Sequence, residues 1–337
     1  MNDVQSLKSG PADGNKVKLT TTDGRRSPRL SLVGGLLVCA FLLTGTVGAE
    51  AAPLSGKSTR HQAVLSSAPV LRAGDVIFTD SEAAVLRLDG VTGEVSLLAA
   101  GGELVRPCGV AISAEQTVYV ADTGSLAVIA IHPATGESAV LSRGDKLGVP
   151  FGIAVNAEGE IFVANSHAVV GIDPVDGTQR TVSSGGVLKA PLGVAVGPNG
   201  DLYVADMGGL IVRIDPRHGD QSIVSAGQSL MTPVGIAVKD RKTIYVSDST
   251  ARCILQIDPR NGAQTVTSAA GSLTTPFGIA VWGESDLLVG DPDAFDLAGG
   301  ILRIDRRSGA QVPVAIGSGN LVNYRCVAVV PGDSTHP

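Results

Sequence analysis

Short apolar runs recur at nearly constant spacing along this chain, and each contains a hexapeptide of the form Pro-x-Gly-(Ile/Val)-Ala-(Val/Ile). Five full copies and one degenerate copy begin at Pro107, Pro150, Pro191, Pro233, Pro276 and Tyr324. Their successive spacings are 43, 41, 42, 43 and 48 residues. A period of this kind indicates that one structural unit is repeated along the chain.

Each repeat contains four hydrophobic segments separated by turn residues, which predicts four β-strands per unit. In the repeat that begins at Pro191, strands at 202–205 and 211–214 follow the hexapeptide, and a further strand follows Gly219. Asp-Pro, Asp-Gly and Asn-Gly turns, as in residues 173–177, join the strands because these residues suit tight hairpins. Four short strands in each unit predict an all-β fold, a β-propeller.

The two ends of the repeat array predict how the ring closes. In all five full repeats, 15 residues separate the hexapeptide proline from the Asp or Asn that ends the second strand. The first such strand, at 75–79, has no preceding partner, because Pro69 lies only 11 residues before Asp80. The missing strand is at residues 326–329. We therefore expect the C-terminal strand to insert into the first blade and close a six-bladed ring without open sheet edges.

The N-terminal segment differs from the repeats and is typical of an export signal, which we assign to residues 1–51. Basic residues precede an uncharged apolar run from Leu30 to Ala49, and small residues suited to cleavage follow. A Ser- and Ala-rich spacer, the propeller and a tail follow at residues 52–71, 72–331 and 332–337. The favoured interpretation is an exported protein, periplasmic or extracellular, with no membrane span after cleavage. The alternative is an uncleaved N-terminal helix that acts as an anchor, because about 20 apolar residues can just cross a bilayer.

Composition limits the partners of the propeller. The formal net charge is −6 at pH 7, and only 3% of the residues are aromatic. A nucleic-acid partner is not expected, because phosphate contacts need clustered Lys and Arg and single strands need stacking aromatics. A chain of this length can bury a core without a metal or disulfide staple. We expect a monomer whose partner is a protein, a peptide or a small molecule.

The recurring patterns also resemble known families. Gly-Ile-Ala-Val followed by Leu-Tyr-Val-Ala-Asp resembles NHL-repeat propellers. The Arg-Ile-Asp-Pro-x-x-Gly segments are similar to the senescence-marker/gluconolactonase superfamily and to the virginiamycin B lyase group, and the resemblance covers about residues 72–330. The gluconolactonase-like resemblance implies a divalent metal, held by Asn and Asp just before the hexapeptide glycine and by a Glu near the start of the first blade. The lyase-like resemblance implies a channel His that acts with a carboxylate on a bound metal.

Strand direction places the loops between second and third strands, and those between successive repeats, on one face of the ring, here named the loop face. A ring of Asp or Asn residues ends the second strands on this face, at Asp80, Asp122, Asn165, Asp206, Asp248 and Asp291. Carboxylates in a ring suggest a metal site, but Asx side chains also hydrogen-bond the backbone two residues further on. Because the position repeats, we interpret the ring as a repeated turn.

A second ring on the loop face consists of the residues before the hexapeptide glycine, here named the mouth ring: Cys108, Phe151, Leu192, Val234, Phe277 and Arg325. None of them is Asn, Asp, Glu or His, although hard cations need oxygen ligands. The metal site that the gluconolactonase-like resemblance implies is therefore not recognisable, and no cofactor is predicted. The one histidine expected on this face is His167, which we interpret as a solvated loop residue.

The loop that follows the second strand of the sixth repeat, at residues 291–300, is longer than its counterparts. Asp291, Asp293 and Asp296 could approach one Ca²⁺ there, and Phe295 could cover the mouth of the central channel. A solvated acidic loop without a metal is the simpler interpretation, because the spacing matches no regular calcium-binding motif.

Cysteines mark the predicted closure of the ring. Cys108 and Cys326 begin the innermost strands of adjacent blades, so a disulfide between them would staple the ring in an oxidising compartment. Such a bridge needs Cα atoms within about 7 Å, and free thiols are the alternative. Cys253 lies in a third strand and is expected to be a small buried residue.

Two functional hypotheses follow from the loop face. The first is a binding or scaffold module that recognises a peptide or small ligand at the channel mouth. Its expected contact residues are Phe151, Leu192, Val234, Phe277, Arg325 and Phe295. The alternative is an exported lyase or hydrolase, lactonase-like or streptogramin-lyase-like, whose divergent site is assembled from single residues of several blades. The sequence leaves open whether the protein is an enzyme.

Overall fold

The computed structural model describes residues 71–317 and 323–332. Within these ranges the chain forms six four-stranded antiparallel sheets arranged as the blades of a β-propeller, which confirms the predicted fold class. The predicted export signal, and the spacer up to residue 70, lie outside the described residues. In the described part of the chain, no helix has the length and apolar character needed to cross a membrane.

The strands, numbered in chain order, have the following bounds. Blade 1 contains β1 (Val76–Asp80), β2 (Ala84–Leu88) and β3 (Val95–Ala100). Blade 2 contains β4 (Pro107–Ile112), β5 (Val118–Asp122), β6 (Ala127–Ile131) and β7 (Ser138–Arg143). Blade 3 contains β8 (Pro150–Val155), β9 (Ile161–Asn165), β10 (Ala168–Ile172) and β11 (Gln179–Ser184).

The second half of the ring repeats this order. Blade 4 contains β12 (Pro191–Val196), β13 (Leu202–Asp206), β14 (Leu210–Ile214) and β15 (Gln221–Ala226). Blade 5 contains β16 (Pro233–Asp240), β17 (Thr243–Asp248), β18 (Cys253–Ile257) and β19 (Gln264–Ala269). Blade 6 contains β20 (Ile279–Trp282), β21 (Asp286–Asp291), the short turn α1 (Ala294–Leu297), β22 (Gly300–Asp305) and β23 (Gln311–Ile316). The last strand is β24 (Tyr324–Val329).

Ring closure follows the predicted route, because β24 pairs with β1 and completes blade 1. The antiparallel register places Val76 opposite Val329 and Phe78 opposite Val327. Phe78 also packs edge-on against the Tyr324 ring, with the ring centroids 4.9 Å apart. Blade 1 is therefore built from the first three described strands and the last one, and β1 has no open edge.

Apolar side chains fill the spaces between neighbouring blades. Each of the six boundaries holds one cluster; Ile77 of blade 1 and Ile129 of blade 2, for example, share a cluster, and both are fully buried. A second strand such as β5 is buried along its whole length, because neighbouring blades cover both of its faces. The fourth strands lie at the rim and leave residues such as Leu97 and Ile223 half exposed.

A polar contact that we name the Ser–Gln clamp crosses four of the six boundaries. At the boundary of blades 4 and 5, Ser225 Oγ donates a hydrogen bond to the Gly262 carbonyl (2.8 Å) and accepts one from Gln264 Nε2 (2.9 Å). The Gln264 side-chain oxygen accepts a further bond from the Ser229 amide (2.9 Å). Equivalent pairs are Ser142 with Gln179, Ser183 with Gln221, and Ser268 with Gln311.

The two boundaries of blade 1 are built differently. Alanines occupy the serine position of the clamp there, Ala99 between blades 1 and 2 and Ala315 between blades 6 and 1. A clamp cannot form without the hydroxyl. The turn glycine of blade 1, Gly93, has open space around its Cα, whereas a Cβ on Gly262 would collide with the Val224 carbonyl of the preceding blade. Both boundaries of blade 1 therefore lack the Ser–Gln clamp.

Candidate functional site

The first strand of each blade lines a central channel that is very narrow at the level of the hexapeptide glycines. A Cβ on Gly152, for example, would collide with the Leu192 carbonyl oxygen and lie 2.9 Å from Gly193 Cα. Glycine is required wherever the inner strands come this close. The same crowding applies at Gly109, Gly152, Gly193, Gly235 and Gly278. In blade 1 the corresponding residue is Cys326, as the alignment of the hexapeptides shows.

The channel holds a cavity of about 60 Å³. Five of the six mouth-ring residues predicted from the sequence line it together: Cys108, Phe151, Leu192, Val234 and Phe277. Such a volume accommodates water-sized molecules but is far below the roughly 300 Å³ of an ordinary ligand pocket. A larger ligand must therefore lie across the mouth rather than inside the channel.

Arg325, the sixth mouth-ring residue, lies beside the cavity. Its guanidinium carbon is 5.8 Å from the centre of the Phe277 ring, a cation–π distance. Its Nε is buried and has no hydrogen-bond partner among residues 71–317 and 323–332. The mouth is therefore apolar around most of its circumference and carries one guanidinium with unused donor capacity.

Asp80 lies near this guanidinium and differs from the other members of the Asp/Asn ring. The side chain is fully buried, and its Oδ1 accepts a hydrogen bond from the Glu82 amide (2.8 Å). Its Oδ2 has no partner in the described part of the chain. Burial raises the pKa of Asp80 to about 6, and the positive charge of Arg325 acts in the opposite direction.

The rest of the Asp/Asn ring organises loops, as the sequence interpretation expected. Asp122 Oδ1 accepts hydrogen bonds from the Gly124 and Ser125 amides, while Oδ2 accepts one from the Val105 amide of the preceding loop (2.8 Å). Asp206 and Asp248 make the same type of contacts. The oxygens of these carboxylates accept hydrogen bonds from backbone amides, which confirms the repeated turn.

The extended loop of blade 6 does not gather its carboxylates. Asp291 accepts from the amides of Thr274 and Thr275, Asp293 accepts from the Thr275 hydroxyl (2.6 Å), and Asp296 is exposed. Within residues 71–317 and 323–332, no three His, Cys, Asp or Glu side chains are arranged to hold a metal ion. The structure thus does not bring Asp291, Asp293 and Asp296 together.

Phe295 also lies elsewhere than the sequence suggested. Three successive residues of the loop, from Phe295 to Leu297, have positive φ angles, which turns the backbone sharply. The Phe295 ring packs against the apolar cluster between blades 5 and 6 and sits close to Gly300. It does not line the channel cavity. The predicted cover over the mouth is thus replaced by a core contact within the blade.

His167 occupies the exposed loop position expected of it. Its Nδ1 lies 3.4 Å from the Lys189 carbonyl of the next blade. The ring does not line the cavity, so the structure does not place it in the channel position that the lyase-like resemblance implies.

The metal implied by the gluconolactonase-like resemblance can be tested against the donor set. The mouth ring offers one sulfur donor, from Cys108, and no side-chain oxygen. Hard divalent cations require several oxygen ligands. The residues at this position therefore do not fit that metal.

Cys108 and Cys326 are free thiols that line the same cavity at the closure of the ring. The disulfide considered from the sequence is thus not formed in this structure. Sequence reasoning missed that Cys326 stands in the glycine position and so directs a side chain into the most crowded level of the channel. The signal was available in the degenerate sixth hexapeptide, Tyr-Arg-Cys-Val-Ala-Val.

Comparison with known proteins agrees with this architecture. A family model described as "SMP-30/Gluconolactonase/LRE-like region" matches residues 108–293, more than half of the chain. A search of curated protein sequences found no match. The structure is similar to a chain in the crystal structure of a nidogen/laminin complex, with a TM-score of 0.65 and 19% identity, covering 75% of this chain and 97% of that one. It is also similar to virginiamycin B lyase from Staphylococcus aureus, with a TM-score of 0.51 and 18% identity, covering 64% and 71%. At these identities the structural likeness concerns the fold.

Proposed function

We propose, from the premise that this chain belongs to the SMP-30/gluconolactonase/LRE-like family, that it is an exported binding or scaffold module. Its ligand is a peptide or small molecule that lies across the channel mouth on the loop face. The observation that carries the proposal is the composition of the mouth ring, which combines an apolar rim with one guanidinium. The fold itself is compatible with many functions.

The apolar rim supplies the attractive surface. Phe151 and Phe277 are partly exposed at the mouth, and Leu192 and Val234 lie beside them almost fully buried. Covering one aliphatic or aromatic ligand group at such a rim contributes about 1.5–3 kcal/mol. The narrow cavity beneath excludes a whole sugar lactone, so only a small group enters the channel.

Arg325 supplies the polar complement. Arg325 is partly exposed, so its guanidinium can donate a charge-assisted hydrogen bond to a ligand oxygen at the mouth. The stacking of Arg325 on Phe277 restricts its orientation and reduces the entropy lost on binding. The ligand that fits best has an apolar body and a carboxylate or carbonyl oxygen, as found at the C-terminus of a peptide.

The donor chemistry favours binding over the alternative of a lactonase-like or streptogramin-lyase-like activity. The residues at the mouth do not fit the metal that the gluconolactonase-like resemblance implies, and His167 is outside the channel wall. The proposal of export rests on the basic and apolar pattern of residues 1–51. N-terminal sequencing of the protein recovered from outside the cytoplasm tests this part separately; recovery only in the cytoplasm with an intact N-terminus contradicts export.

The binding proposal is tested with residues 52–337 and a panel of short peptides that end in Leu or Phe. Each peptide is compared as free acid and as C-terminal amide by calorimetry and by thermal shift. The free acids are expected to bind more tightly, by about tenfold or more, because only they present a carboxylate to Arg325. Arg325→Gln is expected to remove this preference, while Arg307→Gln, on the opposite face, preserves it. Turnover of lactones by the metal-loaded protein, without binding of any peptide, would overturn the proposal.

A further inference from the structure

We propose that Cys108 and Cys326 form an oxidation site, in which hydrogen peroxide that enters the channel converts two neighbouring thiols into a disulfide between blades 1 and 2. This covalent modification of the channel wall does not depend on the proposed ligand. The two cysteines line one small cavity, and a single hydroxyl group holds their backbones together.

The geometry of ring closure brings the two thiols together. In the other blades the hexapeptide glycine faces the inner strand of the next blade so closely that no side chain fits. Cys326 occupies this position in blade 1, and the next inner strand, β4, carries Cys108. Both residues line the same channel cavity.

A side-chain hydroxyl fixes the backbones of both cysteines. Thr79 Oγ1 donates a hydrogen bond to the Cys108 carbonyl (2.7 Å) and accepts one from the Cys326 amide (3.2 Å). Ser247 makes the same bridge between blades 5 and 6, where it links the Gly235 amide to the Phe277 carbonyl and no cysteines are present. The separation of the two cysteine backbones is therefore set by the fold.

The electrostatic surroundings make the pair asymmetric. The hydrogen bond from the Cys326 thiol lowers the pKa of Cys108, and the positive charge of Arg325 acts in the same direction. Burial and the negative charge of Asp122 oppose this effect. The contact with Cys108, followed by burial, raises the pKa of Cys326. We therefore assign the attack on the oxidant to Cys108, because the thiolate is the reactive form of cysteine.

The chemistry requires one molecule of hydrogen peroxide. The Cys108 thiolate attacks one peroxide oxygen, which forms an S–O bond, breaks the O–O bond and releases hydroxide that takes up a proton to become water. The Cys326 sulfur then gives up its proton and attacks the sulfur of the Cys108 sulfenic acid, so that the S–S bond forms and water leaves. Two thiols and one hydrogen peroxide thus give one disulfide and two waters.

The cavity limits which oxidants can react. Cys108 and Cys326 both line the channel cavity of about 60 Å³, although only 2% of Cys108 is exposed. This volume admits a molecule of the size of water or hydrogen peroxide. Bulky oxidants such as cumene hydroperoxide or glutathione disulfide exceed it. The site is therefore expected to select hydrogen peroxide by size.

The modification would add a covalent bond across a boundary that lacks the Ser–Gln clamp. Ala99 removes the clamp between blades 1 and 2, and a disulfide would join the innermost strands of the same two blades. The bridge would also enclose most of the propeller in one covalent loop, which restricts the unfolded chain. Oxidation is thus expected to convert a ring closed by hydrogen bonds into one closed covalently.

The experiment treats reduced protein with hydrogen peroxide and measures intact mass, with peptide mapping to locate the bridge. The expected result is loss of two hydrogens, a Cys108–Cys326 peptide, and a melting temperature higher by roughly 5–10 °C that dithiothreitol reverses. Cumene hydroperoxide should react at least about tenfold more slowly. Cys108→Ser and Cys326→Ser should each abolish the mass change, whereas Cys253→Ser preserves it.

Cys253 provides the internal control, because it is buried in blade 5 and burial raises its pKa to about 11. Two intact thiols at Cys108 and Cys326 after excess hydrogen peroxide would overturn the proposal. So would equal rates for the small and the bulky peroxide, because access would then not be governed by the channel. Oxidation of Cys253 in preference to Cys108 and Cys326 would also overturn the proposal.

Discussion

The Gln264 side-chain amide donates a 2.9 Å hydrogen bond to the Ser225 hydroxyl across the boundary between blades 4 and 5. That hydroxyl donates in turn to the Gly262 carbonyl, so a serine at the rim of one blade ties the turn of the next. The arrangement recurs at four boundaries and is missing from both sides of blade 1. Substitutions in the clamp therefore measure how much it contributes to the stability of the ring.

Ser225→Ala is expected to lower the free energy of unfolding by about 1–2 kcal/mol, because Gly262 and Gln264 each lose a partly buried partner. Chemical denaturation measures the change. Ser222→Ala is the matched control on the same strand, since Ser222 is exposed and its hydroxyl contacts only Arg213 of its own blade (3.3 Å). An equal loss in both variants would show that the clamp adds nothing.

The converse substitution should create a clamp where none exists. Ala99→Ser combined with Ser138→Gln places both partners at the boundary of blades 1 and 2, where Gly136 already approaches the Leu98 carbonyl. We expect the double variant to be more stable than the parent by about 1 kcal/mol, and each single variant to gain less. A double-mutant cycle measures the coupling between the two positions. A coupling energy of zero would show that serine and glutamine at these positions do not form a clamp.

Gly152→Ala should disturb the channel. The added methyl group would collide with the Leu192 carbonyl and the Gly193 Cα, so the two inner strands must move apart. We expect a loss of about 1–3 kcal/mol in the free energy of unfolding, measured with denaturant. Gly332→Ala serves as the control, because its Cβ would lie 3.8 Å from the Ala73 side chain. If the two alanine variants were equally stable, the inner strands would not be in the close contact described.

Asp80 should make stability depend on pH. Its pKa in the folded protein is about 6, above the roughly 3.9 of an unfolded chain, so the folded state binds more protons between these values. The free energy of unfolding should therefore fall by about 1–3 kcal/mol as pH rises from 4 to above 6. Asp80→Asn removes this fall while its side-chain oxygen can still accept from the Glu82 amide.

The comparison for Asp80 is Asp89, a carboxyl of the same blade. Hydrogen bonds from the Thr92 and Val91 amides lower the pKa of Asp89, so its contribution has the opposite sign and is lost as pH falls. Denaturation curves between pH 4 and pH 8 compare the parent protein with Asp80→Asn. Parallel curves for the parent and Asp80→Asn would argue against a proton on Asp80 in the folded state.

Removal of β24 tests ring closure. A chain that ends at residue 323 would lose the strand that pairs with β1, and Val76 and Phe78 would be uncovered. We expect aggregation or loss of cooperative unfolding, because an open edge and an apolar surface become exposed together. A chain that ends at residue 332 keeps the strand and should behave as the parent in size-exclusion chromatography and thermal melts. Cooperative folding of the shorter chain would contradict the closure described.

The period and phase of the repeat were sufficient to predict the fold, including the closing strand. The constant distance between the hexapeptide proline and the Asp or Asn of the second strand determined which strand was missing. The Asx turns were also predictable, because their partners lie close in sequence, as for Asp122 and Gly124. Local hydrogen bonding and strand periodicity thus carry most of the architecture.

Interactions between blades were harder to foresee. Ser225 and Gln264 are 39 residues apart, and their contact depends on how two sheets pack rather than on any local pattern. An alignment of the repeats would have shown serine and glutamine recurring together. Phe295 had no such signal, since the positive φ angles from Phe295 to Leu297 redirect its ring into the blade. The sequence predicted which residues form the mouth ring. It did not predict that Arg325 Nε has no hydrogen-bond partner in the described part of the chain.

The pairing of β1 with β24 also determines how the ring responds to tension. Val76, where β1 begins, lies opposite Val329, where β24 ends, so both ends of the propeller leave the same end of one strand pair. A force applied between the two ends acts across this pair and loads its hydrogen bonds one after another, starting at Val76 and Val329. The propeller should therefore unzip at blade 1 under a small pulling force, although the same strand pair closes the ring.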